Sequence, residues 1–336
     1  MKPLFFSRRP HQDPASRLAA AILASLVLFW GALLLGGCGN GAADSVGNDA
    51  ELRPRIVATT GMVGDLVRAL VGQDAVVETI MGPGVDPHLY QPLRGDAIKI
   101  RAADVVVYNG LHLEGRLGEV LASRADSGAT TIAVAETLPE QQLMAADAGL
   151  YDPHIWMDVS LWKAATAQVA AVLAQAMPQH AEAITQRAAE YQQRLEELDR
   201  WGQATLDSIP PSQRVLITAH DAFRYFGRRY GIEVHGVQGV STISDAAVGD
   251  LNRLVKLITE RNVPAVFFES SVSGRQVKAI VEGARSRGHE VSSDWQLLSD
   301  SMGASGTPQG TYVGMMQHNF STIATALGGT PAEVLP

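Results

Sequence analysis

The sequence predicts an α/β protein with two lobes, each built on a mainly parallel central sheet, joined by one long helix. Short apolar runs alternate with helical segments in the first half, and the same alternation resumes in the second half. A glycine-poor helical stretch of about 30 residues separates the halves. We therefore predict an N-terminal lobe over 51–177, a linking helix over 178–208 and a C-terminal lobe over 209–336.

Seven short apolar runs are the predicted strands. In the N-terminal lobe they are RIVATT (55–60), AVVETIM (75–81), DVVVYNG (104–110) and TTIAVAE (130–136). In the C-terminal lobe they are RVLITAH (214–220), EVHGVQGV (233–240) and VPAVFFES (263–270). Each run is mainly apolar and lies near a segment of helical period. Because ligands bind at the carboxyl ends of strands in open α/β sheets, we expect a crevice where the lobes meet.

The linking helix is predicted from composition. The stretch PQHAEAITQRAAEYQQRLEELDRWGQATLD is rich in Ala, Gln, Glu and Arg and has no glycine before Gly202. Most of these residues are strong helix formers, and at 1.5 Å per residue the helix would be about 45 Å long. The following segment IPPSQ (209–213) ends it, because proline cannot continue the hydrogen-bond ladder.

The amino terminus predicts export. A basic start precedes an apolar run over 18–35, and two glycines then lead to Cys38. This arrangement is typical of a bacterial lipoprotein signal, with cleavage after residue 37 and lipid attached to Cys38. An uncleaved anchor helix is the alternative, because about 18 apolar residues can just span a bilayer. In both cases the rest of the chain is exported, and residues 38–50 form a lipidated cysteine and a flexible stalk.

Composition narrows the function classes. Cys38 is the only cysteine, so the exported protein has neither a disulfide nor a thiolate metal site. The formal net charge of −8 argues against nucleic-acid binding and mildly favours the attraction of cations, although a merely soluble surface also explains it. With 46% hydrophobic residues, the chain can bury one large core or two domain-sized ones.

Two almost identical segments, VDPHLY (85–90) and YDPHIW (151–156), carry the strongest functional signal. Proline is stiff and holds the preceding Asp in an extended conformation, so each segment presents its histidine from rigid backbone. His88 and His154, with His220 at the end of a predicted strand, form a plausible metal set because imidazole is the commonest metal ligand. The alternative is that both segments are only helix starts, with Asp as the cap and Pro at the first position.

Spacing does not choose a fourth ligand. The candidate carboxylates all lie near a strand end or a loop: Asp221, Glu269, Asp294 and Asp300. The signatures of zinc proteases, serine hydrolases and P-loop enzymes are absent from the sequence, so we do not expect an enzyme. The remaining histidines are expected to be structural: His11, His112, His180, His235, His289 and His318.

Many linked motifs in order resemble a known family. The segments ATTGMVGDLV, MGPGVDPHLYQP, DPHIWMD, TAHDAFRYFGRRYG, FFESS and LLSDSMGASGTPQGTYVGMMQHN together are similar to the cluster A-I metal-binding proteins of ABC importers, TroA type. The resemblance covers essentially the whole chain after the signal. It implies two α/β lobes bridged by a rigid helix, with one divalent transition metal between them. The implied ligands are His88, His154, His220 and Asp300.

The resemblance also implies roles for two other acids. Glu269 would either support the site from behind a ligand or have a structural role. Asp221 would cap the helix that follows His220. Four protein ligands leave no obligatory open position, whereas a hydrolytic zinc site keeps one for water. We therefore expect a site that holds and releases its ion.

The expected function is delivery of the ion to a membrane permease and its ATPase by a monomeric carrier. Nitrogen-rich ligation favours zinc. The resemblance adds that manganese-preferring members often replace the third histidine, here His220, with a carboxylate. Manganese stays the alternative ion, because the segment 138–150 lacks the histidines often found there in zinc-specific relatives. A surface adhesin and an exported zinc hydrolase are the rival classes.

Release is expected to follow a small tilt of the C-terminal lobe that carries His220 and Asp300 away. Since histidines must be neutral to bind a metal, affinity should also fall below about pH 6.5.

Overall fold

The computed structural model describes residues 53–146 and 149–333. The predicted signal, the lipidated Cys38 and the stalk lie outside these residues. The described residues belong to one compact unit, and the predicted lobe boundaries stay predictions. Within the described ranges, no helix combines the length and the apolar character needed to cross a membrane.

A four-stranded parallel sheet forms the first half. Its strands are β1 (Arg55–Ala58), β2 (Val76–Thr79), β3 (Val105–Tyr108) and β4 (Thr131–Ala133). They stand in the order β2-β1-β3-β4, and every pairing is parallel, as predicted. The connecting helices are α1 (Gly61–Val71), α2 (Arg94–Ala102) and α3 (Gly118–Asp126). β4 ends earlier than predicted, because the chain turns into a short 3₁₀ helix, Ala135–Thr137.

Two long helices follow this sheet. They are α4 (Val159–Ala176) and α5 (Ala181–Asp207). Helix α5 is the predicted linking helix, and it begins after a 3₁₀ turn at Pro178–His180. Its buried residues recur at helical spacing, among them Ile184, Ala188, Tyr191, Leu195 and Leu198. This stripe packs α5 against α1, α4 and the last helix of the chain.

The second half contains two parallel strand pairs. The pairs are β5 (Val215–His220) with β6 (Glu233–Gln238), and β7 (Ala265–Glu269) with β8 (Ser292–Leu297). β5 also lies beside β7. The helices of this half are α6 (Arg224–Tyr230), α7 (Val248–Arg261), α8 (Arg275–Arg285) and α9 (Tyr312–Ala326). Strand β8 was not predicted, because its sequence SSDWQL is mostly polar and only Leu297 is buried.

The largest hydrophobic core runs through both halves. It joins α1 and the first sheet, represented by Leu66 and Ile56, to Trp162 of α4 and to Phe226 and Phe320 of the second half. A smaller core lies between β5, β6, β7 and helices α7 and α8. The shared core holds the carboxyl ends of strands from both halves near one another.

The predicted cap at Asp221 is wrong. Helix α6 begins at Arg224 after Phe223, and no side chain accepts a hydrogen bond at this start. The Asp221 carboxylate instead lies 3.7 Å from Arg224 Nε, one turn along. The chain makes two further residues of turn after Asp221, so the carboxylate does not reach the free N–H groups of the helix.

Candidate metal site

Four side chains converge on one buried point. They are His88, His154, His220 and Asp300, and one donor atom from each lies within 4.8 Å of all the others. His154 Nε2 is 3.3 Å from the Nε2 atoms of His88 and His220, and 3.4 Å from Asp300 Oδ1. Donors about 2.1 Å from a tetrahedral zinc ion lie about 3.4 Å apart, so the separations fit a single ion.

Three of these residues lie at or after the end of a strand, and His154 lies in the longer connection that leads to α4. His88 lies between β2 and α2, and His154 between β4 and α4. His220 is the last residue of β5, and Asp300 is in the loop after β8. The structure therefore brings together all four residues implied by the family resemblance. His88, His220 and Asp300 follow or end parallel strands on their carboxyl side, where the sheet architecture predicts a ligand site.

The two Asp-Pro-His segments are turns and not helix starts. Asp86 Oδ1 accepts a hydrogen bond from His88 N at 2.9 Å, and Asp152 Oδ1 accepts one from His154 N at 3.0 Å. This side-chain to backbone bond over two residues is an Asx turn. No described helix begins at Pro87 or Pro153, so the helix-start alternative is wrong.

The second segment also orients its own imidazole. Asp152 Oδ1 lies 2.7 Å from His154 Nδ1. An ionised carboxylate can only accept a hydrogen bond, so His154 Nδ1 carries the hydrogen. His154 Nε2 therefore faces the other three metal-binding side chains. Tyr225 on α6 donates to the Asp152 carbonyl at 2.9 Å, which ties this segment to the second half.

Glu269 orients the imidazole of His220 in the same way. Its Oε2 atom is 2.6 Å from His220 Nδ1, and its Oε1 atom accepts the His220 backbone N–H at 2.8 Å. Glu269 ends β7 beside β5, and the two residues are therefore neighbours across the sheet. This is the supporting position that the resemblance implied for Glu269.

Asp300 provides the negative charge of the cluster. It is 2% exposed, and neither carboxylate oxygen accepts a hydrogen bond from the described residues. The loop that carries it is held by Asn319, which bonds both the N–H and the carbonyl of Leu298. The nearest cationic partners of Asp300 are the imidazoles of His220 and His154, at 3.2 and 3.4 Å, and a divalent ion among the three imidazoles would further offset the cost of burying this carboxylate.

The pKa values differ among the histidines. Burial lowers the pKa of His88 to about 3, so its imidazole is neutral at pH 7. Burial also acts to lower the pKa of His154, but Asp152 and Asp300 outweigh it and raise that pKa to about 9. His88 thus faces an incoming cation as a free base, whereas His154 must give up a proton.

His220 and Asp300 form the corresponding charged pair. Burial opposes charge on His220, yet Glu269 and Asp300 raise its pKa well above the ordinary value. Burial would raise the pKa of Asp300, but His220 and His154 hold it well below the ordinary value. A divalent ion would replace the protons on the imidazoles of His154 and His220. We therefore still predict that metal affinity falls as the pH falls.

His88 forms the outer edge of the cluster. Its side chain is 4% exposed, whereas those of His154, His220 and Asp300 are fully buried. It lines a surface cavity of about 560 Å³ together with Leu150 and Ile243. An ion entering from this cavity would meet His88 first.

The other histidines have different surroundings. His289 Nε2 lies 2.9 Å from the Val263 carbonyl, and His318 Nε2 lies 2.9 Å from that of Gln296. His180 and His235 are paired with Asp74 and Glu233. His112 is exposed in a left-handed conformation with φ 65° and lines the cavity next to His88. Within the described residues, none of these histidines belongs to a further cluster of metal-binding groups.

Known proteins with similar sequences bind metals. The family model described as "Zinc-uptake complex component A periplasmic" matches residues 56–326. The manganese-binding lipoprotein MntA of Bacillus subtilis (strain 168) is 45% identical over 306 residues, covering 91% of this chain and 98% of MntA. The zinc-binding protein TroA of Treponema pallidum (strain Nichols) is 44% identical over 278 residues, covering 83% of this chain and 90% of TroA.

Solved structures agree with this match. The periplasmic zinc-binding protein TroA from Treponema pallidum superposes with a TM-score of 0.79 at 44% identity, covering 82% of this chain and 99% of TroA. Fe(III)-bound YtgA from Chlamydia trachomatis superposes with a TM-score of 0.75 at 27% identity, covering 83% of this chain and all of YtgA (100%). The predicted fold class is confirmed, and the chain belongs to the family of periplasmic zinc-uptake complex A components.

Proposed function

We propose that this protein captures one divalent transition metal outside the cytoplasm and delivers it to an ABC permease with its ATPase. The observation that carries the proposal is the buried cluster of His88, His154, His220 and Asp300, in which the Asp300 carboxylate has no hydrogen-bond donor among the described residues. Four protein donors complete a tetrahedral shell and leave no position for a reactive water. The site is suited to holding an ion and not to hydrolysis.

Zinc is the ion we propose first. Three imidazole nitrogens and one carboxylate form a borderline-soft set at tetrahedral spacing, whereas manganese prefers six oxygen-rich ligands. Manganese is the alternative, because Asp300 offers two free carboxylate oxygens and could bind through both. The relatives do not decide, since MntA is named for manganese and TroA for zinc at nearly equal identity.

Export and anchoring complete the proposal. The predicted signal over 1–37 and the lipid on Cys38 would tether the protein to a membrane, facing the periplasm or the cell exterior. MntA is named a lipoprotein, and TroA is described as periplasmic. We propose two working lobes, 51–177 and 209–336, with the helix of 178–208 between them and a monomer as the docking form.

Metal binding to chelator-treated protein tests this function. Titration calorimetry with zinc chloride and with manganese chloride should give one ion per chain and tighter binding of zinc. The His154→Ala variant is the control, because it removes the donor closest to the other three. Wild-type protein that binds neither ion would overturn the function, and manganese displacing equimolar zinc would overturn the choice of metal.

A further inference from the structure

Two hydrogen bonds join the His88 loop, the segment between β2 and α2, to the second half of the molecule: Ser301 Oγ accepts the Gly84 N–H at 2.6 Å, and Thr242 donates to Asp86. Thr242 follows β6, and its Oγ1 donates a hydrogen bond to Asp86 Oδ2 at 2.7 Å. Asp86 and Thr242 are 156 positions apart in sequence, and Thr242 is only 6% exposed. The other oxygen of the same carboxylate, Oδ1, accepts the His88 backbone N–H at 2.9 Å. A single carboxylate therefore lies between a metal-binding residue and a distant loop.

His88 depends on this backbone connection more than its partners do. His154 and His220 are each held at Nδ1 by a carboxylate, from Asp152 and Glu269. No described residue forms a hydrogen bond to His88 Nδ1. The position of the His88 ring is consequently set by its backbone, and that backbone is held by Asp86.

The Thr242 loop also borders the entrance to the site. Its neighbours Ser241 and Ile243 line the cavity that His88 lines, and Ile243 is 68% exposed. The Thr242 side chain is buried and donates to Asp86. Movement of this loop away from the His88 loop would break the hydrogen bond and widen the entrance at the outermost ligand.

We infer that Thr242 is a positioning residue whose hydrogen bond to Asp86 holds His88 closed over the bound metal and thereby sets the rate of release. The inference rests on the proposed metal-capture function and adds the contact that controls it. When the bond breaks, His88 leaves the ion first, because it is the ligand at the rim and has no carboxylate behind its ring. His154, His220 and Asp300 still hold the ion after this first step, and the predicted tilt of the C-terminal lobe would then carry His220 and Asp300 away.

Release kinetics test this role. Zinc-loaded protein is mixed with excess EDTA, and Trp156, whose ring lies 5.2 Å from that of His154, reports the loss of metal by its fluorescence. Thr242→Val removes the donor at constant shape and should release zinc about tenfold faster. Thr242→Ser keeps a hydroxyl and should restore the wild-type rate. If Thr242→Val does not fold, Thr242→Ala replaces it, because it also removes the hydrogen-bond donor to Asp86.

Ser241→Ala is the matched control. It removes a hydroxyl from the same loop, one that accepts the Ile243 N–H and does not touch Asp86. This variant should release zinc at the wild-type rate. Equal acceleration in Ser241→Ala and Thr242→Val would mean that general loop loosening, and not the bond to Asp86, controls release, and it would overturn the inference.

A double-mutant cycle isolates the bond itself. If Thr242 acts through Asp86, the Asp86→Ala and Thr242→Val double variant releases zinc no faster than Asp86→Ala alone. Accelerations that multiply would show two independent effects and reject the inference. Release of zinc from Thr242→Val at the wild-type rate would also reject the inference, but it would leave the proposed metal capture intact. The proposed function itself would fail in a different way, because the wild-type protein would then not bind zinc at all.

Discussion

The two Asp-Pro-His segments have nearly the same sequence and the same turn, but their aspartates have different partners. Asp152 uses one oxygen for both the backbone N–H and the ring Nδ1 of His154. Asp86 uses one oxygen for the His88 backbone and the other for Thr242. His154 is fully buried at the centre of the cluster, whereas His88 lies at its edge. The same local motif thus presents one histidine whose ring is held by a carboxylate and another that is held only through its backbone.

The difference teaches that a local turn presents a histidine but does not decide how firmly it is held. An Asx turn needs only three consecutive residues. The second partner of the aspartate comes from the tertiary structure. Variants that separate the two segments therefore test the comparison directly.

Removal of the two imidazoles should have the largest and most unequal effect. His154→Ala should weaken zinc binding by about 1,000-fold, and His88→Ala by about 100-fold. His154 Nε2 lies within 3.4 Å of all three other donors, whereas water from the cavity can replace His88. Competition against a chelating dye measures both affinities. Equal losses would contradict the distinction between central and peripheral ligands.

Removal of charge behind the rings should have an intermediate effect. Asp152→Asn should weaken zinc binding by about 30-fold, because partners of ligating histidines typically contribute tenfold to a hundredfold. Asp86→Asn should weaken it less than about threefold, because the asparagine oxygen still accepts the His88 N–H, its amide nitrogen can donate to the Thr242 hydroxyl, and neither touches the His88 ring. Glu269→Gln is the matched control and should resemble Asp152→Asn. An Asp86→Asn loss as large as that of Asp152→Asn would remove the contrast.

Glu114 supports the second segment, its neighbour Gly115 packs against the first, and we expect a smaller, pH-dependent effect from Glu114. Its carboxylate accepts the Asn109 N–H, and the Asn109 side chain donates to the carbonyl of Pro153, next to His154. The following residue, Gly115, has φ 48°, and a Cβ there would lie 2.7 Å from the His88 carbonyl oxygen. Only glycine tolerates both the conformation and the approach.

Burial raises the pKa of Glu114 to about 7, despite hydrogen bonds from Thr59, Asn109 and Gly110 that lower it. The folded protein therefore binds this proton more tightly than the unfolded chain, and the associated stability is lost as pH rises through 7. Between pH 5.5 and 7 the loss should be about 1.5 kcal/mol. Urea unfolding of metal-free wild type and Glu114→Gln measures it, and parallel pH profiles would contradict the assignment.

Most of the fold was predictable from local patterns. Seven of the eight strands in the described ranges lie within predicted apolar runs, and α5 (Ala181–Asp207) lies within the range 178–208 predicted for the linking helix. The runs are longer than the strands, because they include flanking turn residues such as Thr59, Asn109 and Ser270. β8 was missed, since five of its six residues are not buried and give no apolar run.

The site was predictable only in part. His88 and His154 stand out by their repeated context, and His220 by its position at a strand end. Asp300 was chosen by family resemblance, because nothing in its neighbourhood distinguishes it from Asp294 or Glu269. Asn319 and Thr242 gave no signal, since an asparagine in a helix and a threonine in a loop are ordinary until their partners are known.

Local residue chemistry decides the strands, the long helix and the turn that presents each Asp-Pro-His histidine, because these depend on interactions over a few residues. Only the tertiary structure decides which metal-binding side chains come together and which carboxylates form hydrogen bonds to their imidazoles. His88 and His154 are 66 positions apart, and Asp86 and Thr242 are 156 apart. Such pairs meet because packed sheets and a shared core bring strand ends together, and this packing depends on the whole chain.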